Sequence, residues 1–231
     1  MKHQKYLVGP MMLLLLALVA CVCTGSGISN DNGNNGGITK PTEVPALFKD
    51  DFSSSSSGWT SGESDNASVD YVADEYVFKI KTTDWFVWGN PGEKSLSNIH
   101  LEVTARDVNK TEDTSFGTIC NFDEAKTSFY YAAIRGQGYY AISRTDSNSQ
   151  DTFLTGGGDW SQSADIEKDA ASYKVGMDCG NGKITLYVDG KQIDSVEDST
   201  YTTGDVGLLA WTGKKGDAEV HFDDFVVTAL K

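Results

Sequence analysis

Two groups of residues in this sequence have types and spacings that could do chemistry: paired aspartates and clustered aromatics. "FKDDF" (48–52) and "HFDDF" (221–225) each set two carboxylates between aromatic residues near the two ends of the non-leader part of the chain. Strands carrying these segments side by side would gather Asp50, Asp51, Asp223 and Asp224, and like charges at matching depth repel unless a cation sits between them. Ca²⁺ takes carboxylate and carbonyl oxygens of this kind. A structural Ca²⁺ at these four residues is one reading; carboxylates facing water, or neutralised by Lys49, are the other.

The aromatics suggest a different chemistry. Trp85, Phe86 and Trp88 cluster in "DWFVWGN" (84–90), four tyrosines line "YYAAIRGQGYYAISR" (130–144), and Trp160 and Trp211 lie near turns. Flat ring faces stack on the C–H faces of sugars, while sugar hydroxyls need Arg, Asn, Asp or Glu nearby. Strand alternation puts Tyr130, Ala132 and Ile134 on one face, read as core, and Tyr131, Ala133 and Arg135 on the other. Together with Glu102, Thr104, Arg106 and Asn121, that second set predicts a polar, aromatic-studded concave face. Its candidate ligand-binding residues are Trp88, Arg106, Asn121, Tyr131 and Arg135, and its candidate partner is a glycan or polysaccharide. Each aromatic taken singly reads as core before ligand platform, Trp59 is assigned to the core, and such a patch could grip a protein or a cell wall instead.

No catalytic set is legible. Beyond residue 20 only His100 and His221 remain as histidines, which excludes a histidine-rich zinc site. HExxH and GxSxG are absent, and "TGGGDW" (155–160) lacks the Lys-Ser/Thr of a phosphate loop.

The elements that must position these residues read as strands. "IHLEVTARD" (99–107) alternates apolar Leu101, Val103 and Ala105 with polar neighbours, and "KITLYVDGKQIDSV" (183–196) repeats the pattern around an Asp189-Gly190 turn. A second hairpin turns at Gly136-Gln137-Gly138. About a dozen such strands are expected, and the one helical candidate, "SADIEKDAAS" (163–172), lacks an apolar stripe. Many short antiparallel strands in one long domain predict a two-sheet sandwich or barrel. In a jelly roll the first and last strands lie together, with Phe48 and Phe52 against Phe222 and Phe225.

Ahead of the strands stands an address. Lys2 and Lys5 precede the apolar "LLLLALVAC" (13–21), which has the layout of a secretory signal. Leu18-Val19-Ala20-Cys21 resembles the bacterial lipobox, which implies a signal peptide over 1–20 and an acylated Cys21 anchoring the protein to a membrane. The bland alternatives are an ordinary signal peptide cut nearby and an uncleaved anchor. Residues 21–45, rich in Gly, Asn and Ser, read as a flexible tether before a domain over 46–231. Cleavage would remove two of 19 basic residues against 33 acidic ones, leaving a net charge of −16. That balance argues against nucleic acid as a partner. In an exported, extracytoplasmic chain, Cys120 and Cys179 most simply form a disulfide; two free buried thiols are the alternative. Cys23 is left without a partner.

The order "DDFS…GW", "FGTIC", "FYYAAIRGQGYYAI", "YKVGMDCGNGKITLYVDGKQI", "DVGLLA" and "HFDDFVV" resembles the concanavalin A-like (laminin G-like) jelly rolls that follow lipoprotein signals in bacterial surface proteins. The resemblance covers about 46–230. It implies an all-β, two-sheet antiparallel jelly-roll sandwich. That superfamily holds lectins, carbohydrate-binding modules, adhesion domains and glycoside hydrolases, including 3-keto-disaccharide hydrolases, so the fold does not select a function. Laminarinase-type members carry Glu-x-Asp-x-x-Glu on one strand. Here the nearest stretch, "DIEKD" (165–169), lacks that order and reads as a loop. A non-catalytic carbohydrate-binding module is the function expected, with a related hydrolase or an adhesion module as alternatives.

Overall fold

The structure, a computed structural model, describes Lys2–His3 and residues 44–92 and 95–230. The proposed cleavage site, the acylated Cys21, Cys23 and most of the tether lie outside the described residues.

The strands, in chain order, are β1 Lys2–His3, β2 Ala46–Asp50, β3 Gly62–Glu63, β4 Ala67–Val72, β5 Glu75–Ile80, β6 Trp85–Gly89, β7 Ile99–Asp107, β8 Ser115–Asp123 and β9 Ser128–Arg135. They continue as β10 Tyr139–Thr145, β11 Asp151–Phe153, β12 Ser161–Gln162, β13 Tyr173–Gly180, β14 Lys183–Val188, β15 Lys191–Glu197, β16 Asp205–Trp211 and β17 Ala218–Ala229. A single 3-10 turn, Ser55–Ser57, is the helical element of the described chain. One sheet runs β1-β6-β16-β8-β9-β10-β11 with β12 beside β10; the other runs β15-β14-β13-β7-β17-β5-β4-β3 with β2 beside β17. All pairings are antiparallel except β1 with β6. The sandwich expected from the sequence is the one that forms.

Period-two patterning explains the core. On β7, Ile99, Leu101, Val103 and Ala105 are fully buried, while His100, Glu102, Thr104 and Arg106 face outward. Phe116, Cys120, Tyr130, Ala132, Ile134 and Leu208 of the first sheet join the same core. Burying each large apolar side chain contributes roughly 1.5–3 kcal/mol. The Asp189-Gly190 hairpin has φ of 51° and 76° at its two residues, the positive pair that a tight two-residue turn requires.

The two DDF segments are neighbours: β2 pairs antiparallel with β17, Asp50 opposite Phe225. Phe222 and Phe225 are three residues apart, so strict alternation would send them to opposite faces. A bulge resolves this. Asp224 takes φ 52°, the β7–β17 register shifts between Asp223 and Val226, and both rings enter the core. Asp50 closes the assembly: its Oδ2 accepts the Trp59 indole N–H at 2.8 Å and its Oδ1 the Phe52 N–H at 2.9 Å. Trp59 is in the core as expected, its ring 5.0 Å from Phe225 and 5.2 Å from Phe52.

The outer face of the second sheet is a charge network. Arg106 donates to both Glu75 oxygens at 2.9 and 2.8 Å, and His221 bridges Glu75 and Glu219. Arg106 therefore does not share a face with Tyr131 and Arg135: β7 belongs to the opposite sheet, an assignment that alternation alone does not contain. Nearby, His100 Nδ1 lies 2.7 Å from Asp178 Oδ1, and Tyr187 donates to Asp178 Oδ2 at 2.8 Å.

Cys120 on β8 and Cys179 on β13 form a disulfide between the sheets, 59 residues apart in sequence. Loop closure of that length stabilises by about 4 kcal/mol in the chain-entropy model. Reduction, or Cys120→Ser with Cys179→Ser, is expected to lower unfolding free energy by about that amount in urea titration; an unchanged midpoint with both thiols labelled would remove the bridge.

A second expectation concerns pH. Hydrogen bonding to Asp178 raises the His100 pKa above its ordinary 6.5. A raised folded-state pKa gives stability that is present below 6.5 and is lost as pH rises through the folded value. Urea midpoints should therefore fall on that alkaline side, and Asp178→Asn should flatten the slope. An equal slope in the variant would assign it to other groups.

Candidate functional site

Backbone register across the first sheet lays out the face that points away from the core. Trp88, Leu209, Gly117, Ala133 and Ala141 are consecutive cross-strand neighbours on β6, β16, β8, β9 and β10. One pleat to one side runs Phe86, Trp211, Ser115, Arg135 and Tyr139; one pleat to the other runs Gly207, Ile119, Tyr131, Ser143 and Phe153. The middle row ends in three small residues between rows that carry bulky ones. That row crosses the strands as a trough, roughly 14 Å from β16 to β10 at the usual inter-strand spacing, and side chains cover it: Leu209 and Ala133 are 1% exposed and Ala141 is fully buried. Its floor is fixed at backbone level, because a Cβ at Gly117 would lie 2.0 Å from the Ala132 carbonyl oxygen and 2.7 Å from Ala133 Cα.

One wall is apolar. Phe86, Ile119, Phe122, Phe129, Tyr131, Ala133 and Leu209 form a second cluster, with Trp88, Trp160 and Trp211 packed partly buried against it. Tyr131 lies on the expected face but is only 1% exposed, its ring 5.9 Å from Phe86 and its hydroxyl 3.4 Å from Asp151 Oδ2. Burial pushes its phenol pKa strongly up. Tyr131 thus shapes the wall rather than presenting a platform.

A polar patch on one flanking row is built on Arg135. Its guanidinium lies 4.0 Å from the Trp160 ring centroid and 5.7 Å from that of Trp211, and the two indoles stack at 6.1 Å with planes 28° apart. Cation–π contacts of this kind stabilise by about 0.5–2 kcal/mol. Arg135 also bridges to Asp113 at 3.2 Å. Burial draws its pKa down and Asp113 and Asp159 oppose that, so the group stays a cation. Three donors here have no acceptor: Arg135 Nε, Trp160 Nε1 and Trp211 Nε1. A buried donor without a partner costs roughly 1–3 kcal/mol. Three on one patch mark a place suited to acceptor oxygens. Tyr139, 37% exposed, stands at the rim.

Of the five candidate ligand residues, Trp88, Tyr131 and Arg135 share this face. Asn121 does not, and the reason is a bulge. Alternation along β8 from Ser115 through Gly117 and Ile119 would point Asn121 into the trough, but it takes φ 51° and the β8–β9 register shifts between Cys120 and Asp123. Phe122 takes the outward position instead. Trp160 and Trp211 are noted in the sequence only as lying near turns. Their signal is weak because β9, β16 and the loop before β12 meet there only in the folded sheet.

Three of the candidate Ca²⁺ carboxylates have local donors. Besides the two bonds of Asp50, Asp51 Oδ1 accepts the Ser53 hydroxyl at 2.6 Å and Asp223 Oδ1 the Asp224 N–H at 2.7 Å. Ser53 holds the Asp51 pKa below its usual range, while burial, with Asp224, Glu75 and Asp51 nearby, raises that of Asp223. Among the described residues, no group of three His, Cys, Asp or Glu side chains has a metal-holding arrangement. The stretch 165–169 is a loop, with Ile166 buried and Asp165 paired to Lys191 at 2.6 Å. The trough-facing positions of β8, Ser115, Gly117 and Ile119, carry no carboxylate.

No family model matches the sequence, and no curated protein does. Solved structures do match in shape. The carbohydrate-binding module CBM66 from Bacillus subtilis superposes with a TM-score of 0.59 at 13% identity, over 74% of this chain and 96% of its own. A B. subtilis protein of unknown function with a galectin-like fold gives 0.59 at 11% identity, over 80% and 97%. The Bacillus licheniformis β-glucanase gives 0.57 at 11% identity, over 82% and 100%. Identities this low carry the fold alone. In architecture the chain is a concanavalin A-like jelly roll.

Proposed function

We propose that this protein is a non-catalytic glycan-binding module, displayed outside the cytoplasm by an acylated Cys21, whose ligand lies on the outer face of the first sheet at the Arg135–Trp160–Trp211 patch. The observation that carries this reading is the Arg135–Trp160–Trp211 patch, where stacked indoles lie beside three buried donors with no partner among the described residues. A sugar supplies the complements: C–H faces for rings and oxygens for N–H donors. Trp88 lies in the middle row, on the strand next to that of Trp211. Shape relatives include both a carbohydrate-binding module and a glucanase, which supports a glycan-related role. Glycosidic cleavage needs two flanking carboxyl groups, and two carboxylates near this patch, Asp113 and Asp151, are bound to Arg135 and to Tyr131 and Thr145, which favours binding over hydrolysis. The disulfide fits an oxidising compartment, and among the described residues no helix is long and apolar enough to cross a membrane.

A polysaccharide pull-down and glycan-array screen of the purified protein tests this. Trp160→Ala and Trp211→Ala should each weaken binding at least about tenfold, ~1.4 kcal/mol, with the fold intact by circular dichroism. Affinity unchanged in both, or no glycan bound at all, sinks the reading; released sugar product would make the protein a hydrolase. For the anchor, mass spectrometry of the mature N-terminus should find an acylated Cys21, and any other terminus removes it.

A further inference from the structure

A cavity of about 420 Å³ opens at one end of the sandwich, away from the trough. It lies between the sheets, at the start of β7, the β13–β14 turn and the loop from Asp198 to Gly204 that carries the chain from β15 to β16. Its lining includes Asn98, Asn121, Tyr130, Lys183, Tyr201 and Thr203, and the disulfide residue Cys179 is part of its wall. The volume is in the lower part of the range of small-molecule sites, about 300–1,000 Å³.

The loop that closes this cavity is held on several sides. Tyr130 donates to Asp198 Oδ1 and accepts the Tyr201 N–H at 3.0 Å; Tyr201 donates to the Thr145 carbonyl at 3.1 Å; Thr203 donates to the Leu96 carbonyl at 3.1 Å. Arg144 neutralises Asp198. Gly204 closes against the β8 bulge so tightly that a Cβ there would lie 2.4 Å from the Asn121 carbonyl carbon. This is a pre-formed wall.

Asn121 is the residue that the bulge re-aims. It is 4% exposed and sits at left-handed φ. Its Nδ2 donates to the Tyr201 carbonyl at 2.9 Å, and its Oδ1 has no partner. Bulges recur where a side chain must be turned toward a site, and an unsatisfied acceptor within a polar cavity calls for a ligand donor. The other walls are amide, hydroxyl and ring with the Lys183 side chain among them, and the cavity's carboxylate is already paired. That set suits a molecule rich in hydroxyl groups better than a cation.

We infer that this cavity is a second, separate carbohydrate subsite that takes a single sugar residue, such as the end of a glycan chain, with Asn121 Oδ1 accepting one of its hydroxyls. It stands apart from the Arg135–Trp160–Trp211 patch in residues and in location, so either site can fail without the other.

The test titrates the purified protein with methyl glycosides of glucose, galactose, mannose and N-acetylglucosamine, followed by amide NMR. Saturable shifts are expected at Asn121, Asn181 and Thr202 with at least one probe, and they should persist in Trp211→Ala, which disables the patch. Ser97→Trp, placed at the exposed mouth of the cavity, should abolish them. Asn121→Gly, which tolerates the left-handed backbone and removes the amide, should weaken binding at least tenfold. The inference is overturned if no probe gives saturable shifts at these amides, or if shifts survive Ser97→Trp unchanged. Shifts confined to the Trp160 and Trp211 indoles would leave the patch as the sugar site and also reject the cavity.

Discussion

Pairing of β8 with β9 brings Gly117 opposite Ala133 with no room for a Cβ between the strands. That close approach sets the height of the trough floor, and the hydrogen-bond ladder carries the same level outward to Leu209 on one side and Ala141 on the other. Everything distinctive on the face is measured from this level. The Arg135–Trp160–Trp211 patch stands one pleat to one side and the buried Tyr131 one pleat to the other. A glycine in the middle of a strand ordinarily weakens it. Here the loss is offset by packing two backbones where side chains would have separated them.

Much of the fold was legible because alternation is a local signal. The buried row of β7, the Asp189-Gly190 hairpin, the pairing of first and last strands and the Cys120–Cys179 bridge all follow from residues a few positions apart or from simple pairing. The site was less legible, for two physical reasons. Which sheet a strand joins is a long-range fact, and it moved Arg106 to the opposite face. A bulge shifts alternation by one residue, and nothing in "TICNFD" announces the one that turns Asn121 aside, although Asn is a residue that tolerates left-handed φ. The HFDDF bulge is clearer after the fact: two phenylalanines three apart cannot both be core without one. Trp160 and Trp211 were visible as residues and invisible as a pair.

The two outer faces divide the chemistry between them. On the second sheet, carboxylates and cations neutralise one another in Glu75–Arg106–His221–Glu219 and Lys174–Glu102, a surface that water already satisfies. On the first sheet, apolar rings and unpartnered N–H groups replace them. With exposed ion pairs contributing little net stability, the second face is best understood as solvation, and the first as a second, smaller hydrophobic core.

β2 enters beside β17, with Ala46 opposite Thr228, and the Leu230 N–H reaches the Asn98 carbonyl at 2.8 Å. The described domain's first and last residues therefore leave from the end of the sandwich that holds the cavity, a few strand widths from it. Orientation follows from this. If the chain is held by residues ahead of Ala46, that end is turned toward whatever holds it, and the trough runs along the flank. A long polymer passing beside the domain would meet the trough broadside, whereas only material close to the point of attachment would reach the cavity.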